Sequence, residues 1–159
     1  MWRKIGELEA SSTTSVVDDM RSGKKRVVTL AEMGAEAAVL WQELPSGSVV
    51  WLTGDLGTGK TTFVQALTKV AGAEPARSPT FSLVHEYESP TGVIFHVDCY
   101  RLRSIDEAID LDFPEIVRAA RLLLIEWPQR AGHYAPPPDV TIGFSHTGDQ
   151  EVRQMERIL

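Results

Sequence analysis

The stretch Gly54-Asp55-Leu56-Gly57-Thr58-Gly59-Lys60-Thr61-Thr62, GDLGTGKTT, decides the fold. It matches the Gly-x4-Gly-Lys-Thr pattern of a phosphate-binding loop in full. Glycines let successive backbone N–H groups face one concave nest with no side chain in the way. Lys60 is placed to reach β- and γ-phosphates, and the Thr61 hydroxyl is placed to coordinate Mg²⁺. A helix beginning at Lys60 adds the partial positive charge of its N-terminus. The bland alternative is a glycine-rich strand-to-helix turn with an incidental lysine. Against it, Val49-Val50-Trp51-Leu52 reads as a buried strand just before the loop, and Thr61 to about Val70 is rich in helix formers just after it. The expected ligands are therefore a nucleoside triphosphate and Mg²⁺. Asp55, Leu56, Gly57, Thr58, Gly59, Lys60, Thr61 and Thr62 are the binding residues.

Working outward, Arg26-Val27-Val28 reads as a short strand. Thr29 and Glu32 form a capping-box pattern, opening a helix with apolar positions Leu30, Met33, Ala37, Leu40, Trp41 and Leu44, ended by Pro45-Ser46-Gly47. Phe81–Glu88 and Val93–Val97 are β-prone runs joined by Ser89-Pro90-Thr91-Gly92, a hairpin pattern. Ser104 and Glu107 suggest a second capping box and a short helix that ends before Pro114. Pro114 suits the first turn of another helix, running to about Ala120. Leu122–Ile125 is a second buried strand and Val140–Phe144 a further one. The tail EVRQMERIL fits either a helix or a hairpin strand across His146–Asp149. The expected architecture is α/β: a three-layer P-loop NTPase fold whose mixed, mainly parallel sheet carries antiparallel hairpin strands and is flanked by helices. Residues 26–159 form one domain behind a weakly patterned lead-in, residues 1–25.

The bulk numbers are consistent. The chain has 159 residues, is 43% hydrophobic and 24% charged, and carries a net charge of −6. An acidic chain does not adhere to nucleic acid through a general basic surface. The single cysteine, Cys99, excludes an internal disulfide framework and any cysteine-cluster zinc site. MWRKIGELEASSTT has no apolar core of the signal-peptide kind. No apolar run approaches the roughly 20 residues that span a bilayer. A cytoplasmic protein without membrane contact is expected.

A P-loop enzyme needs an acid at the end of a neighbouring strand to hold the metal shell or orient water. Glu126, after Leu122–Ile125, and Asp98, ending Val-Ile-Phe-His-Val, compete for that role; each alone could be a solvated strand-end carboxylate. Ser78-Pro79-Thr80-Phe81 is a third candidate: Thr80 either reaches the metal or γ-phosphate from a loop that orders on binding, or sits in a plain turn. Asp98 beside Tyr100-Arg101 leaves a small-molecule kinase open, although Arg101, Arg103, Arg118, Arg121 and Arg130 are too scattered to form one lid. There is no Asn-Lys-x-Asp base-reading motif, so ATP is expected rather than GTP.

Together, Gly54–Thr62, Ser78-Pro79-Thr80-Phe81, His96-Val97-Asp98-Cys99-Tyr100-Arg101 and Ile125-Glu126-Trp127-Pro128 resemble the TsaE (YjeE) family over about residues 27 to 145. The resemblance implies an ATPase of tRNA N6-threonylcarbamoyladenosine synthesis. It would work with a TsaD-type threonylcarbamoyltransferase and a TsaB-type paralogue, meeting tRNA through them. It implies Lys60 and Thr61 at ATP and Mg²⁺, Glu126 at the metal and in hydrolysis, Asp98 at the nucleotide site, and Thr80 in a switch-like loop. Trp127 is either core packing or a contact to nucleotide or partner, and His96 and Tyr100 read first as structural. The family often has a Gly-Arg pair on the last hairpin; here the region reads Thr147-Gly148-Asp149-Gln150-Glu151, with no arginine before Arg153. Leu111-Asp112 stands where the family often has Leu-Gly. The start of the first helix, Thr29 to Met33, is the candidate adenine contact. A non-hydrolytic, nucleotide-dependent binding module is the remaining alternative.

Overall fold

The computed structural model describes residues 23, 25–75 and 82–158. Thr80, the rest of Ser78–Phe81, and nearly all of the lead-in therefore lie outside the described residues. The elements follow from where apolar residues cluster. In β6 (Ala120–Glu126) the four residues Leu122 to Ile125 have no solvent exposure. Successive side chains of a strand point to opposite faces, so such a run needs cover on both sides. Leu122 and Leu124 enter one core with Val50 and Leu52 of β2 (Ser48–Thr53). Leu123 and Ile125 enter a second core with Val49.

The first core is closed by α1 (Leu30–Glu43) and α2 (Lys60–Val70), which pack together through Met33, Ala37, Leu40, Phe63, Val64 and Leu67. The capping box of α1 is present with both bonds: the Glu32 N–H donates to Thr29 Oγ1 at 3.3 Å, and the Thr29 N–H donates to Glu32 Oε2 at 2.8 Å. Leu30 departs from the expected apolar face, being 59% exposed in the first turn. The second core is closed by α3 (Phe113–Ala119), through Phe113 and Ile116, and by 3-10 turns at Cys99–Arg101 and Ile105–Leu111.

Ser104 corrects one expectation. Its side chain makes no cap bond, and the element that follows is a 3-10 helix, Ile105–Leu111. Glu107 reaches past the cap: its Oε2 accepts from the Arg103 N–H at 2.8 Å, one residue too early for a box.

The sheet has eight strands among the described residues, in the order β1-β8-β7-β2-β6-β5-β4-β3. Here β1 is Arg26–Thr29, β3 Glu74–Pro75, β4 Val84–Ser89, β5 Gly92–Asp98, β7 Val140–Ser145 and β8 Val152–Ile158. The centre, β7-β2-β6-β5, is parallel; the strands flanking it on each side pair antiparallel. This is the mixed, helix-flanked three-layer arrangement expected. The expected β4–β5 hairpin is present, from Val84↔Val97 to Ser89↔Gly92. The tail resolves as a strand. Met155 is fully buried opposite Phe144, whereas Ile158, which a helix would place on the same face, is 46% exposed. No helix among the described residues is long and apolar enough to cross a membrane.

The sheet order puts β6 on one side of β2 and β7 on the other. At such a switch point the loops leaving the carboxyl ends of the strands part and leave a crevice, the usual ligand position in open α/β sheets.

Candidate functional site

The loop after β2 opens that crevice. Gly54 (φ 137°) sits so tightly against β7 that a Cβ there would lie 2.3 Å from the Phe144 carbonyl oxygen. Only glycine lets the chain turn away from the sheet at this point. Gly59, at φ 111°, is the N-cap of α2 and supplies no side-chain bond. Among the described residues the first N–H groups of the helix thus have no side-chain cap, the condition for an anion site. Thr58 Oγ1 donates to the Asp55 carbonyl at 2.7 Å, so this side chain braces the loop.

A cavity of about 300 Å³ lies in front of the helix start. Leu56, Gly57, Gly59, Lys60, Thr61 and Thr62 line it from the loop and α2; Asp98, Glu126, Trp127 and Arg153 line it from the strand ends. Two expected binding residues, Asp55 and Thr58, are not among those lining it. Lys60 Nζ donates to the Gly54 and Asp55 carbonyls at 2.5 and 2.8 Å and stands 4.7 Å from the centre of the Trp127 ring. Burial lowers the Lys60 pKa, opposed by the charges of Glu126, Asp98 and Asp55.

The two competing acids are neighbours. Asp98 and Glu126 are register partners at the ends of the parallel strands β5 and β6. They differ in what they touch. Glu126 is buried, and its Oε1 accepts from Thr61 Oγ1 at 3.2 Å. Asp98 Oδ1 caps the following 3-10 turn by accepting the Tyr100 N–H at 3.0 Å. Both face the same cavity, but Glu126 is tied to the loop.

Two contributors, His96 and Arg153, were not legible as site residues, and for Trp127 the sequence left core packing and a nucleotide or partner contact both open. His96 Nε2 lies 2.9 Å from Glu126 Oε1, and both side chains are buried. Arg153 reaches the cavity from β8, and a Cβ on Gly59 would lie 3.1 Å from its Cγ and Cδ. Its Nη1 donates to the Gln150 and Val152 carbonyls, while its buried Nε has no acceptor among the described residues. A tail arginine therefore stands at the loop although the Gly-Arg pair is missing. Trp127, in the left-handed region at φ 54°, lies between Lys60 and Tyr100, whose ring centroid is 5.0 Å away. A left-handed conformation is costly for a bulky residue, and its place next to Glu126 ties that strain to the site.

The donor set suits a hard cation held partly by substrate. Thr61, Glu126 and Asp98 offer oxygens only, and Mg²⁺ typically takes one or two protein oxygens and completes its shell with phosphate and water. Among the described residues there is no cluster of three or more His, Cys, Asp or Glu able to hold a metal alone. The candidate adenine contact lies near: Leu30, Ala31 and Met33 line a cavity of about 590 Å³, and Thr62 borders both this cavity and the first.

A family model described as threonylcarbamoyl adenosine biosynthesis protein TsaE matches residues 27–155. A relative from Rickettsia conorii, named tRNA threonylcarbamoyladenosine biosynthesis protein TsaE, is 38% identical over 110 residues, 68% of this chain and 62% of the relative. The chain thus spans about three fifths of the length of that relative. Proteins of the same name from Nostoc and Haemophilus influenzae are 38% and 30% identical, over 74% and 82% of this chain and 74% and 77% of theirs. Among solved structures, that of the Bacillus protein YdiB superposes with a TM-score of 0.62 and 26% identity, over 84% of this chain and 85% of YdiB. With a loop, a strand-end acid and a sheet order that fit a nucleotide site, and a match across most of its length, the chain belongs to the TsaE family.

Proposed function

We propose that this chain is a Mg²⁺-dependent ATPase whose turnover supports tRNA N6-threonylcarbamoyladenosine formation by a TsaD-type transferase and its TsaB-type paralogue. The observation that carries the reading is the bond from Thr61 Oγ1 to the buried Glu126, next to a helix start with no side-chain cap. This is the pairing of loop hydroxyl and strand-end acid that a metal–triphosphate complex requires.

ATP binds with its triphosphate on the loop and the α2 N-terminus and its adenosine toward Leu30 and Ala31. Lys60 exchanges the Gly54 and Asp55 carbonyls for phosphate oxygens, and Arg153 adds positive charge from β8. Thr61 and Glu126 would hold Mg²⁺, which would supply charge neutralisation to the triphosphate. Water attacks the γ-phosphorus in line; the new O–P bond forms as the bond to the bridging oxygen breaks and ADP leaves. Glu126 and Asp98 orient that water, and its proton passes to a carboxylate or to phosphate. Thr80, which lies outside the described residues, is the remaining residue proposed to act in turnover. The net charge of −6 fits a subunit that leaves tRNA contact to its partners.

Phosphate release with Mg-ATP tests this reading. Hydrolysis is expected in the full chain, to stop with EDTA, and to fall at least about tenfold in Lys60→Ala, since electrostatic groups at such sites are worth 10²–10³ in rate. Phosphoryl transfer to a nucleoside or sugar faster than hydrolysis would establish a kinase instead. ATP binding without hydrolysis, alone or with both partners, would establish a binding module.

A further inference from the structure

The geometry points to His96 as a positioning residue: it donates a hydrogen bond from Nε2 to Glu126 and so fixes the carboxylate that Thr61 meets. This inference rests on the role proposed above for Glu126. It begins with the register. His96 on β5 pairs with Leu124 on β6, in parallel. Paired residues share a face and side chains alternate, so His96, Leu124 and Glu126 all face α2. The His96 ring reaches diagonally along that face to Glu126 Oε1 at 2.9 Å.

A carboxylate only accepts, so Nε2 carries the hydrogen in this contact. The same Oε1 also accepts from Thr61 Oγ1 at 3.2 Å. One oxygen is thereby held between β5 and the first turn of α2, leaving Oε2 outside these two bonds. The ring has little freedom of its own. His96 is 5% exposed, and His85, its register partner on β4, stacks on it with centroids 5.7 Å apart and planes at 29°.

A histidine buried merely for packing needs some acceptor, and any carbonyl would serve. Here the acceptor is the acid at the mouth of the phosphate cavity, and the neighbouring strands hold the donor rigidly. Groups that orient a ligand from behind in this way commonly contribute 10–100-fold to metal affinity or activity. Among the described residues, Glu126 without His96 keeps only the Thr61 side-chain bond and gains freedom to rotate about its own torsions.

Three variants of the full chain test this: His96→Ala, His96→Gln, whose amide nitrogen reproduces Nε2, and His96→Asn, whose amide falls short. Two quantities are measured, kcat for phosphate release and the Kd of ATP by calorimetry, with Mg²⁺ and with EDTA. For His96→Ala and His96→Asn, kcat is expected to fall about 10–100-fold and Mg-ATP to bind about tenfold more weakly. Binding of ATP in EDTA stays within about threefold, because the loop itself is intact. His96→Gln restores both quantities to within about threefold of the parent. In a Glu126→Gln background, His96→Ala adds nothing further, as expected for residues acting as one unit.

Equal Mg-ATP affinity and equal kcat in parent and His96→Ala would overturn the inference, as would His96→Gln behaving like His96→Asn. If His96→Ala does not fold, the Gln and Asn pair decides. If the parent binds Mg-ATP but hydrolyses none, the proposed activity fails, and the binding arm alone still decides the role of His96.

Discussion

Replacing Gly54 by alanine should strike fold and ligand site together, because that residue marks the point where β2 leaves the sheet. The new methyl would lie 2.3 Å from the Phe144 carbonyl oxygen and 3.1 Å from its carbon. Both atoms are backbone, next to a β2–β7 ladder that pairs Thr53 with Gly143. Neither partner is a flexible side chain that could swing away. Holding alanine at φ 137° costs about 1–3 kcal/mol by itself. Relieving the overlap means giving up a ladder hydrogen bond, about 1 kcal/mol more. The sum, about 3 kcal/mol, lowers the melting temperature of a domain this size by about 6–12 °C. Gly34→Ala is the matched control. Gly34 lies inside α1 with nothing within 4 Å of an added Cβ. There the change should stabilise by about 0.5–1 kcal/mol and raise the melting temperature by about 1–4 °C. Scanning calorimetry reads both variants, and ATP titration reads the loop. Gly54→Ala melting within about 2 °C of the parent and binding ATP equally well would refute the claimed close approach of loop and β7.

Other consequences are open to direct measurement. Burial lowers the Lys60 pKa, and only the ammonium attracts phosphate, so ATP affinity should decline as pH rises through that lowered value, earlier than for an ordinary lysine. Lys60→Arg, which keeps its charge, should flatten the profile measured by titration across alkaline pH. Cys99 is fully buried, and its thiol is pushed up to about 12 by burial and then by the Asp98 charge. Iodoacetamide at mildly alkaline pH should leave it unmodified in the native chain and label it in denaturant, as mass spectrometry can show. Arg153→Ala should weaken ATP by about 1.5–3 kcal/mol, the range for a hydrogen bond to a charged group, with a smaller effect on adenosine alone. Equal loss for both ligands would place Arg153 away from the phosphates.

What the sequence disclosed divides along the range of the interactions. The Thr29–Glu32 capping box, the β4–β5 hairpin turn and the runs Val49–Leu52 and Leu122–Ile125 are local or periodic signals, and each forms the element expected. Ser104 failed because a cap depends on which N–H the glutamate finds, and Glu107 found that of Arg103. The tail stayed open between helix and strand because Val152, Met155 and Ile158 fit both periods. Pairing with β7 and the Arg157–Glu43 bond at 3.0 Å decided it, neither visible in a nine-residue window. At the site, the loop and both acids were legible from their strand–loop context. His96 was not, because its meeting with Glu126 depends on the parallel register of β5 on β6 across 30 residues. Arg153 was missed for the same reason: only the fold of the last hairpin brings it against Gly59.

The most direct test of the central claim is tRNA N6-threonylcarbamoyladenosine formation over several turnovers, reconstituted from a TsaD-type transferase, a TsaB-type paralogue and this chain. With the parent chain, modified tRNA should exceed the concentration of the complex. Without it, or with Lys60→Ala or Glu126→Ala, formation should stop at about one equivalent or fall at least about tenfold. Sustained modification with Glu126→Ala would contradict the account, since the bond between Thr61 and Glu126 would then have no part in turnover.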